Sequence, residues 1–316
     1  MPRILFVKTS SLGDVIHNCP AVSDAARAVP GAEIDWLVEE GFAGIPALHG
    51  SVRRVIPVAL RRWRTALWNP AAWFEIRAFR RALAAERYDA VIDTQGLLKS
   101  ALLCSMTSGT KHGMDRASLR EPLAVRFYDV RHTVPRGRHA VERNRQLAAA
   151  ALGYAPDGEC DYGLRAEGAP PIPASTPYAV LLTMTSRADK LWPDDCWVEL
   201  GGALCDRSMQ AVLPWGSEGE RVRCERIARR IPHSVVPRHL SLRELAQLIR
   251  GARGAAGVDT GVTHLCAALG IATVGIYCAT DPALTGLYGN ARARNLGGAR
   301  AAPTAADVLS ALEALL

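Results

Sequence analysis

Short apolar runs alternate with longer amphipathic segments along most of the chain. Runs such as Ile4–Val7 and Tyr178–Thr183 are apolar almost throughout, which is typical of strands buried on both faces of a parallel sheet. The segments between these runs repeat apolar residues at helical spacing. Strands that alternate with helices predict an α/β fold built from βαβ units.

Residues 153–177 interrupt this alternation with five prolines and no regular pattern. The part before them predicts strand 4–7, helix 15–29, strands 32–38 and 52–58, a helical region at 61–87, strand 90–92 and helix 97–107. The part after them predicts strand 178–183, helix 195–206, strand 211–213, helices 218–230 and 242–250, strand 255–258, helix 261–269, strand 273–277 and helix 302–316.

The interruption predicts two Rossmann-like domains, 1–160 and 161–316, with a linker at about 153–177. The last helix could pack back on the first domain. Ligands bind beyond the carboxyl ends of the strands in such sheets. We therefore expect the two domains to face each other across a cleft that holds the site.

Composition narrows the class of protein. Apolar residues make up 49% and charged residues 22% of the 316, which excludes a disordered chain. No apolar run of about 18 residues could span a membrane, and the run at 4–7 is too short for a signal peptide, so we expect a cytoplasmic protein. The eight cysteines form no CxxC pair, which predicts buried thiols in a reducing compartment and no metal site.

Charge is distributed unevenly. Residues 1–145 hold 22 Lys and Arg against 14 Asp and Glu, whereas residues 146–316 hold 16 against 17. The basic half predicts an anionic partner, which could be a nucleic acid, a membrane surface or a phosphorylated substrate. Alternatively, it is a solvated face in a protein rich in arginine. The candidate anion-binding residues are Arg61, Arg62, Arg64 and Arg120.

Four strand–helix turns carry groups that suit chemistry on an anionic ligand. In KTSSLGD at 8–14, small polar residues let the turn approach a ligand, and Asp14 at the helix start is either part of that site or simply the N-cap of the next helix. Turns at 183–190 and 257–264 offer hydroxyls, a cation and helix-start amides to a diphosphate, and a carboxylate after LPWG at 213–216 could accept from ribose. The candidates in these three turns are Thr185, Ser186, Lys190, Glu220, Thr260, Gly261 and His264.

Taken together, the motifs resemble glycosyltransferase family 9, the lipopolysaccharide heptosyltransferases of GT-B fold, and especially the branch that adds the first heptose of the inner core. The resemblance covers nearly the whole chain. It rests on KTSSLGD at 8–14, DWLVEEGFA at 35–43, RRVIP at 53–57, RRWR at 61–64, YDAVIDTQG at 88–96, KHGMD at 111–115, REPLA at 120–124, HAVER at 139–143, LPWG at 213–216 and DTGVTHL at 259–265.

The resemblance implies inverting, metal-independent transfer of L-glycero-D-manno-heptose from ADP-heptose to the Kdo of Kdo2-lipid A, with no cofactor. It implies Asp14 as general base, Thr185, Ser186 and Lys190 at the donor diphosphate, Thr260 and Gly261 at a phosphate, Asp259 and His264 at the heptose, Glu220 at the ribose, Leu240 near the adenine, and Arg61, Arg62, Arg64 and Arg120 at the acceptor. Leu240 stands where methionine is common, Ser186 where threonine is common and Thr65 where a lysine can occur.

The implied acceptor lies in a membrane leaflet, so we expect the enzyme to be peripheral on the cytoplasmic face of the inner membrane, where basic residues favour docking. The implied division gives acceptor binding to the first domain and nucleotide-sugar binding to the second. Two alternatives stay open. One is heptosyltransferase II or a related family 9 enzyme with a heptosylated acceptor. The other, a basic nucleic-acid-binding protein, rests on charge alone, and no helix-turn-helix, RNP or zinc pattern supports it.

Overall fold

The computed structural model describes residues 1–66, 68–156, 158–173, 176–299 and 301–316. The chain forms two compact units, Met1–Gly163 and Leu164–Leu316. The boundary falls inside the predicted linker at 153–177, of which residues 157, 174 and 175 lie outside the described residues, as does residue 67 of the predicted helical region at 61–87.

Within the described part of the first unit, six parallel strands form one sheet in the order β3-β2-β1-β4-β5-β6. Strand β1 has the sequence RILFV and is buried along its length after the first residue, as expected for a central strand flanked by helices. The strands are β1 Arg3–Val7, β2 Glu33–Glu39, β3 Val52–Val58, β4 Arg87–Asp93, β5 Ser108–Met114 and β6 Val130–His132.

The helices of the first unit differ from the prediction in two places. The predicted helix 15–29 is two helices, because Pro20 lacks the N–H that a continuous helix would need and instead occupies the first turn of the second one. The region at 61–87 likewise contains two helices and the start of β4. The helices are α1 Leu12–Ile16, α2 Cys19–Ala28, α3 Leu60–Thr65, α4 Pro70–Ala85, α5 Leu98–Cys104 and α6 Ala140–Leu152.

The described part of the second unit contains a five-stranded parallel sheet in the order β11-β10-β9-β7-β8. A parallel bridge from Val212 to Val235 extends the sheet beyond β8. With that bridge counted as a vestigial strand, both units follow the 3-2-1-4-5-6 order of dinucleotide-binding folds. The strands are β7 Tyr178–Leu182, β8 Gln210–Val212, β9 Gly254–Val258, β10 Ala272–Tyr277 and β11 Ala293–Gly297.

Five helices are described in the second unit: α7 Asp194–Cys205, α8 Glu218–Ala228, α9 Leu242–Gly251, α10 Gly261–Ala268 and α11 Ala305–Glu313. The last one starts later than the predicted residue 302, because Thr304 and Asp307 form a reciprocal capping box after Pro303. It packs against α7 and β10 of its own unit. Trp192 and Trp197, edge to face at 4.8 Å, lie in the same core.

Strands β5, β6 and β11 and helix α6 were not predicted. The sequence of β5, SGTKHGM, lacks the apolar run that identified the other strands. Gly113 in β5 is required by packing, because a Cβ there would lie 2.3 Å from the ring of Tyr128. The strand is therefore recognisable only once its neighbours are in place.

Two predictions from composition need correction. Cys19, Cys104, Cys224 and Cys266 are buried as predicted, whereas the other four cysteines are partly exposed. The charge contrast is weaker between the structural units than between the sequence halves. The first unit holds 22 Lys and Arg against 17 Asp and Glu, and the second 16 against 14, because the acidic residues between 146 and 163 belong to the first unit.

Candidate functional site

Ligand-binding turns in doubly wound sheets lie where the strand order reverses, at the carboxyl ends of the two strands on either side of that point. In the first unit these strands are β1 and β4, and in the second they are β7 and β9. Three of the four motifs predicted from sequence lie in these turns, after β1, β7 and β9. The fourth, LPWG at 213–216, follows β8.

In the second unit, the turns after β7 and β9 meet at Asp259. Lys190 Nζ lies 2.7 Å from Asp259 Oδ2, and Thr280 Oγ1 donates to the same oxygen at 2.6 Å. Thr185 Oγ1 donates to the backbone carbonyl of Asp259 at 3.0 Å. The tertiary structure thus brings Thr185 and Lys190, both in the turn after β7, into one cluster with Asp259, which is 74 and 69 residues away from them in the chain.

This cluster is suited to an anionic ligand. The side chains of Lys190 and Asp259 are 18% and 11% exposed, so the ammonium group is fixed yet reachable. Ser186 lies exposed in the same turn, and Arg187 next to it is paired with Asp189. A fixed cation beside an exposed hydroxyl can stabilise negative charge that develops on a phosphate oxygen.

Helix α10 begins directly at this cluster. Thr260 is its N-cap, with extended backbone, and Gly261 is its first residue, so amides of the first turn are available to an anion. Gly257 lets the helix approach β9 closely, because a Cβ there would lie 2.3 Å from Thr263 Oγ1. His264 is buried one turn into the helix, with Nε2 4.0 Å from Asp259 Oδ1.

The remaining predicted donor residues follow β8 and precede α9. Glu220 Oε2 accepts a hydrogen bond from the backbone N–H of Gly216 at 2.7 Å, which closes the LPWG turn. Trp215 donates to the carbonyl of Pro237 at 2.8 Å and packs edge to face on His239. Leu240 is buried. No hydrogen bond described in the structure joins Glu220 or Leu240 to the Lys190–Asp259 cluster.

In the first unit, Asp14 is not the N-cap that one interpretation expected. Ser11 is the N-cap of α1, and Asp14 is the third residue of the helix. Asp14 Oδ2 accepts from the backbone N–H of Ser11 at 2.8 Å and from its hydroxyl at 2.9 Å. Oδ1 has no partner among the described residues, so one carboxylate oxygen can still take a proton.

Hydrogen bonds of Lys8 and Gln95 fix the loop that precedes Asp14. Lys8 Nζ donates to the carbonyl of Thr94 at 2.8 Å. Gln95 Oε1 accepts from the backbone N–H groups of Thr9 and Ser10, both at 3.1 Å. Burial lowers the pKa of Lys8, and the charges of Asp14 and of Asp93, the last residue of β4, act in the opposite direction.

Asp93 is fully buried and accepts four hydrogen bonds. Tyr128 and Ser100 donate their hydroxyls at 2.7 and 2.8 Å, and the N–H groups of Gln95 and Gly96 donate at 2.9 and 3.1 Å. Burial raises the pKa of Asp93, and these hydrogen bonds oppose that shift. With its oxygens occupied and no exposure, Asp93 organises the turn after β4 and is not accessible to a ligand.

The four candidate acceptor arginines are not equivalent. Arg62 is bound to Glu40 and Glu75 through both sides of its guanidinium group, and these bonds raise its pKa. The guanidinium group of Arg61 lies over the ring of Phe42 at 5.0 Å. Arg64 and Arg120 are exposed, and neither has an ion pair among the described residues.

These arginines do not form one patch. Arg61, Arg62 and Arg64 lie on α3 after β3, whereas Arg120 lies in the loop after β5. Strands β3 and β5 are four positions apart in the sheet, which at ~4.8 Å per strand is roughly 19 Å. Asp14, which follows β1, lies between the two groups along this edge.

Sequence reasoning missed Thr280, Gln95 and Asp93, which position the predicted residues. Each follows or ends a strand, and the signal was a polar residue at that point of the pattern. Across the described ranges, no group of three or more His, Cys, Asp and Glu side chains is placed to hold a metal ion. Within those ranges, no helix is long and apolar enough to cross a membrane.

Residues 76–311 match the model of Glycosyltransferase family 9 (heptosyltransferase). The chain is 49% identical over 292 residues to Lipopolysaccharide heptosyltransferase 1 of Pseudomonas aeruginosa, covering 92% of this chain and 82% of that protein. Its structure is similar to E. coli heptosyltransferase WaaC with ADP, with a TM-score of 0.91 and 43% identity. It is also similar to the same enzyme with ADP-2-deoxy-2-fluoro heptose, with a TM-score of 0.89 and 43% identity. Both matches cover 99% of this chain and 100% of the other.

The two Rossmann-like units and the structural similarity to heptosyltransferase WaaC show that the chain has the GT-B fold. The chain belongs to glycosyltransferase family 9, the heptosyltransferases. It is therefore an enzyme, and the predicted family and fold are confirmed. The nucleic-acid-binding alternative, which rested on charge alone, is not retained.

Proposed function

We propose that the enzyme transfers L-glycero-D-manno-heptose from ADP-heptose to the Kdo of Kdo2-lipid A, which adds the first heptose of the lipopolysaccharide inner core. The observation that carries this proposal is the Lys190–Asp259 cluster at the start of α10, a fixed cation beside helix-start amides. It is supported by the similarity to an enzyme named Lipopolysaccharide heptosyltransferase 1 and to a heptosyltransferase with ADP or a fluorinated ADP-heptose.

On the donor side, Lys190 and the hydroxyls of Thr185 and Ser186 bind the diphosphate. The first-turn amides at Thr260 and Gly261 bind a phosphate oxygen. As the bond between the anomeric carbon and the diphosphate breaks, negative charge grows on the leaving ADP, and a preorganised cation stabilises it most at that point. Asp259 and His264 face the heptose, Glu220 the ribose and Leu240 the adenine.

On the acceptor side, Asp14 is the general base. Its free carboxylate oxygen takes the proton of a Kdo hydroxyl, whose oxygen attacks the anomeric carbon from the face opposite the leaving ADP. One C–O bond forms as the other breaks, so the anomeric configuration is inverted. The exposed guanidinium groups of Arg64 and Arg120, together with Arg61 and Arg62, bind the carboxylates and phosphates of the acceptor.

The acceptor is a lipid, so the enzyme works as a peripheral protein on the cytoplasmic face of the inner membrane. The excess of Lys and Arg in the first unit favours an anionic surface. Transfer requires neither a metal ion nor a cofactor, because Lys190 and the helix amides supply the positive charge that a metal would otherwise provide.

The test is ADP release by the purified enzyme from ADP-heptose, with and without Kdo2-lipid A, in the presence of EDTA. We expect release that depends on the acceptor, and an inverted linkage in the product by NMR. A parallel assay with a heptosylated acceptor examines heptosyltransferase II activity. Turnover only with the heptosylated acceptor, or only when a divalent ion is restored, contradicts the corresponding part of the proposal.

A further inference from the structure

Helix α4 buries only one of its faces. Ala72 and Leu83 are buried, and Ile76 and Phe79 pack partly buried against the same core. These four positions follow helical spacing and form one stripe. The rest of the 16-residue helix is exposed to solvent.

The opposite stripe carries an aromatic ring and arginines. Phe74 is 71% exposed, and Arg77 and Arg81 follow it at the next two turns. We call Phe74, Arg77 and Arg81 the α4 outer face. Neither arginine has an acidic partner among the described residues. Glu75, on the flank of the helix, is held by Arg62 and by the indole N–H of Trp63.

The aromatic end of this face lies close to the proposed acceptor site. Helix α4 begins just after α3, at the carboxyl edge of the sheet, and runs back towards the start of β4. Trp68 is 83% exposed before its first residue, and Trp73 is 48% exposed in its first turn. Trp63 of α3 packs on Phe79 of α4 at 5.4 Å, so the two helices are fixed to each other.

We propose that the α4 outer face, with Trp68 and Trp73 beside it, docks on an anionic lipid bilayer and delivers α3 to the acceptor. This inference rests on the proposed function, because it supplies the membrane contact that a lipid acceptor requires. Aromatic rings settle at the depth of the headgroups, and unpaired guanidinium groups bind lipid phosphates. A second copy of the chain fits poorly here, because it would place arginine against arginine.

The test is co-sedimentation of the full-length enzyme, without substrates, with vesicles of phosphatidylcholine alone or mixed with phosphatidylglycerol. We expect wild type to bind the mixed vesicles, more weakly at high salt, and not to bind vesicles of phosphatidylcholine alone. In Phe74→Ala/Arg77→Ala/Arg81→Ala, the partition coefficient should fall at least ~10-fold, since each arginine near an anionic surface contributes ~5-fold. These side chains are exposed, so circular dichroism should show normal folding.

The matched control is Leu284→Ala/Arg243→Ala/Arg250→Ala, which removes one exposed apolar side chain and two exposed arginines from the second unit. We expect this variant to bind the mixed vesicles like wild type. Equal losses in both variants would mean that total charge, and not α4, governs binding, and would overturn the proposal. Absence of wild-type binding would overturn it as well.

Kinetics on a water-soluble acceptor without acyl chains separate docking from catalysis. The α4 variant should keep the wild-type kcat and KM with that acceptor and lose turnover only with acceptor in vesicles. A rise in KM for the soluble acceptor, with vesicle binding intact, would assign α4 to the acceptor site and overturn docking. If wild type released no ADP from ADP-heptose at all, the proposed function would fail, while the vesicle result would still be read independently.

Discussion

In both units an aspartate followed by a threonine lies at the carboxyl end of one of the two strands where the strand order reverses, β4 in the first unit and β9 in the second. The two aspartates nevertheless differ in exposure and in their partners. Asp93 at the end of β4 is fully buried and accepts hydrogen bonds from two hydroxyls and two amides. Asp259 after β9 keeps 11% exposure and is paired with Lys190 and Thr280. The first carboxylate is part of the fold, and the second is part of a reachable charged cluster.

The difference comes from what covers each strand end. Gly113 leaves room for the ring of Tyr128, whose hydroxyl donates to Asp93 Oδ2, and Ser100 of α5 donates to the same oxygen. At Asp259 the corresponding partner is the ammonium group of a partly exposed lysine, which a phosphate could also bind. Position in a Rossmann-like unit therefore does not decide the role of a carboxylate, whereas burial and hydrogen-bond saturation do.

The largest effect is expected for Asp14→Asn, which tests whether Asp14, and not Asp93, is the reactive carboxylate of the first unit. In Asp14→Asn, the amide oxygen can still accept from the Ser11 N–H, so α1 should persist, but basicity is lost. We expect kcat to fall at least ~10²-fold, the lower range for a positioned general base, with unchanged donor affinity. Ser11→Ala, which leaves the carboxylate in place, is the control. Near-normal turnover of Asp14→Asn would reduce Asp14 to a capping residue.

A slightly smaller loss is expected at the corresponding cluster of the second unit. Lys190→Ala removes the cation that we propose stabilises the leaving diphosphate, and kcat should fall by about 10²-fold. Arg187→Ala, in the same turn but paired with Asp189, should have little effect. Steady-state ADP release measures both variants. Equal kinetics for Lys190→Ala and wild type, with normal folding, would remove Lys190 from the site.

Stability should distinguish the two aspartates directly. Asp93→Ala leaves the Tyr128 hydroxyl and the N–H groups of Gln95 and Gly96 without their acceptor, whereas Ser100 keeps the carbonyl of Leu97. It should lower the free energy of unfolding by about 3 kcal/mol. Asp259→Ala should cost clearly less stability, because Lys190 can still reach water. Urea unfolding at neutral pH measures both. A larger loss in Asp259→Ala than in Asp93→Ala would reverse the comparison.

Among the arginines of α3 that we propose bind the acceptor, Arg64, which has no ion pair among the described residues, should matter most to binding. Arg64→Ala should raise KM for the acceptor roughly 10-fold, the scale of one hydrogen-bonded charge, and leave KM for ADP-heptose unchanged. Arg243→Ala in the second unit removes the same charge as a control. A change in donor KM instead would place acceptor binding outside the first unit.

The smallest effect is expected from a stacked pair of histidines in the first unit. Among the described residues, the second unit has no counterpart of this pair. His112 and His132 stack with Nδ1 and Nε2 3.1 Å apart. Burial lowers the pKa of both, and for His112 the charge of His132 adds to the shift. The unfolded chain therefore takes up protons first as pH falls below ~6.5, and stability should decrease in that range.

Urea unfolding of wild type and His132→Gln between neutral and mildly acidic pH measures this slope. We expect His132→Gln to lose part of the pH dependence of the free energy of unfolding. The control His233→Asn, at an exposed histidine, should retain this pH dependence. A steeper acid loss in His132→Gln than in wild type would contradict the assignment.

The sequence predicted the strand–helix alternation, most strands of both sheets and the turns that carry Asp14, Lys190 and Thr260. It did so because buried parallel strands need continuous apolar runs and because ligand turns need small and polar residues after them. It failed for β5, whose polar and glycine residues are explained by the packing of Tyr128, and for helix 15–29, where Pro20 forces a second start.

The sequence by itself determined the family, because ordered motifs persist along the whole chain, and it determined the residue types available at each strand end. Only the tertiary structure decided which of them are usable. The hydroxyl of Tyr128, 35 residues away, completes the hydrogen bonds of Asp93, and Glu40 and Glu75, 22 and 13 residues away, hold Arg62 between them. Such contacts depend on which elements become neighbours in the sheet, and local sequence patterns carry no information about that.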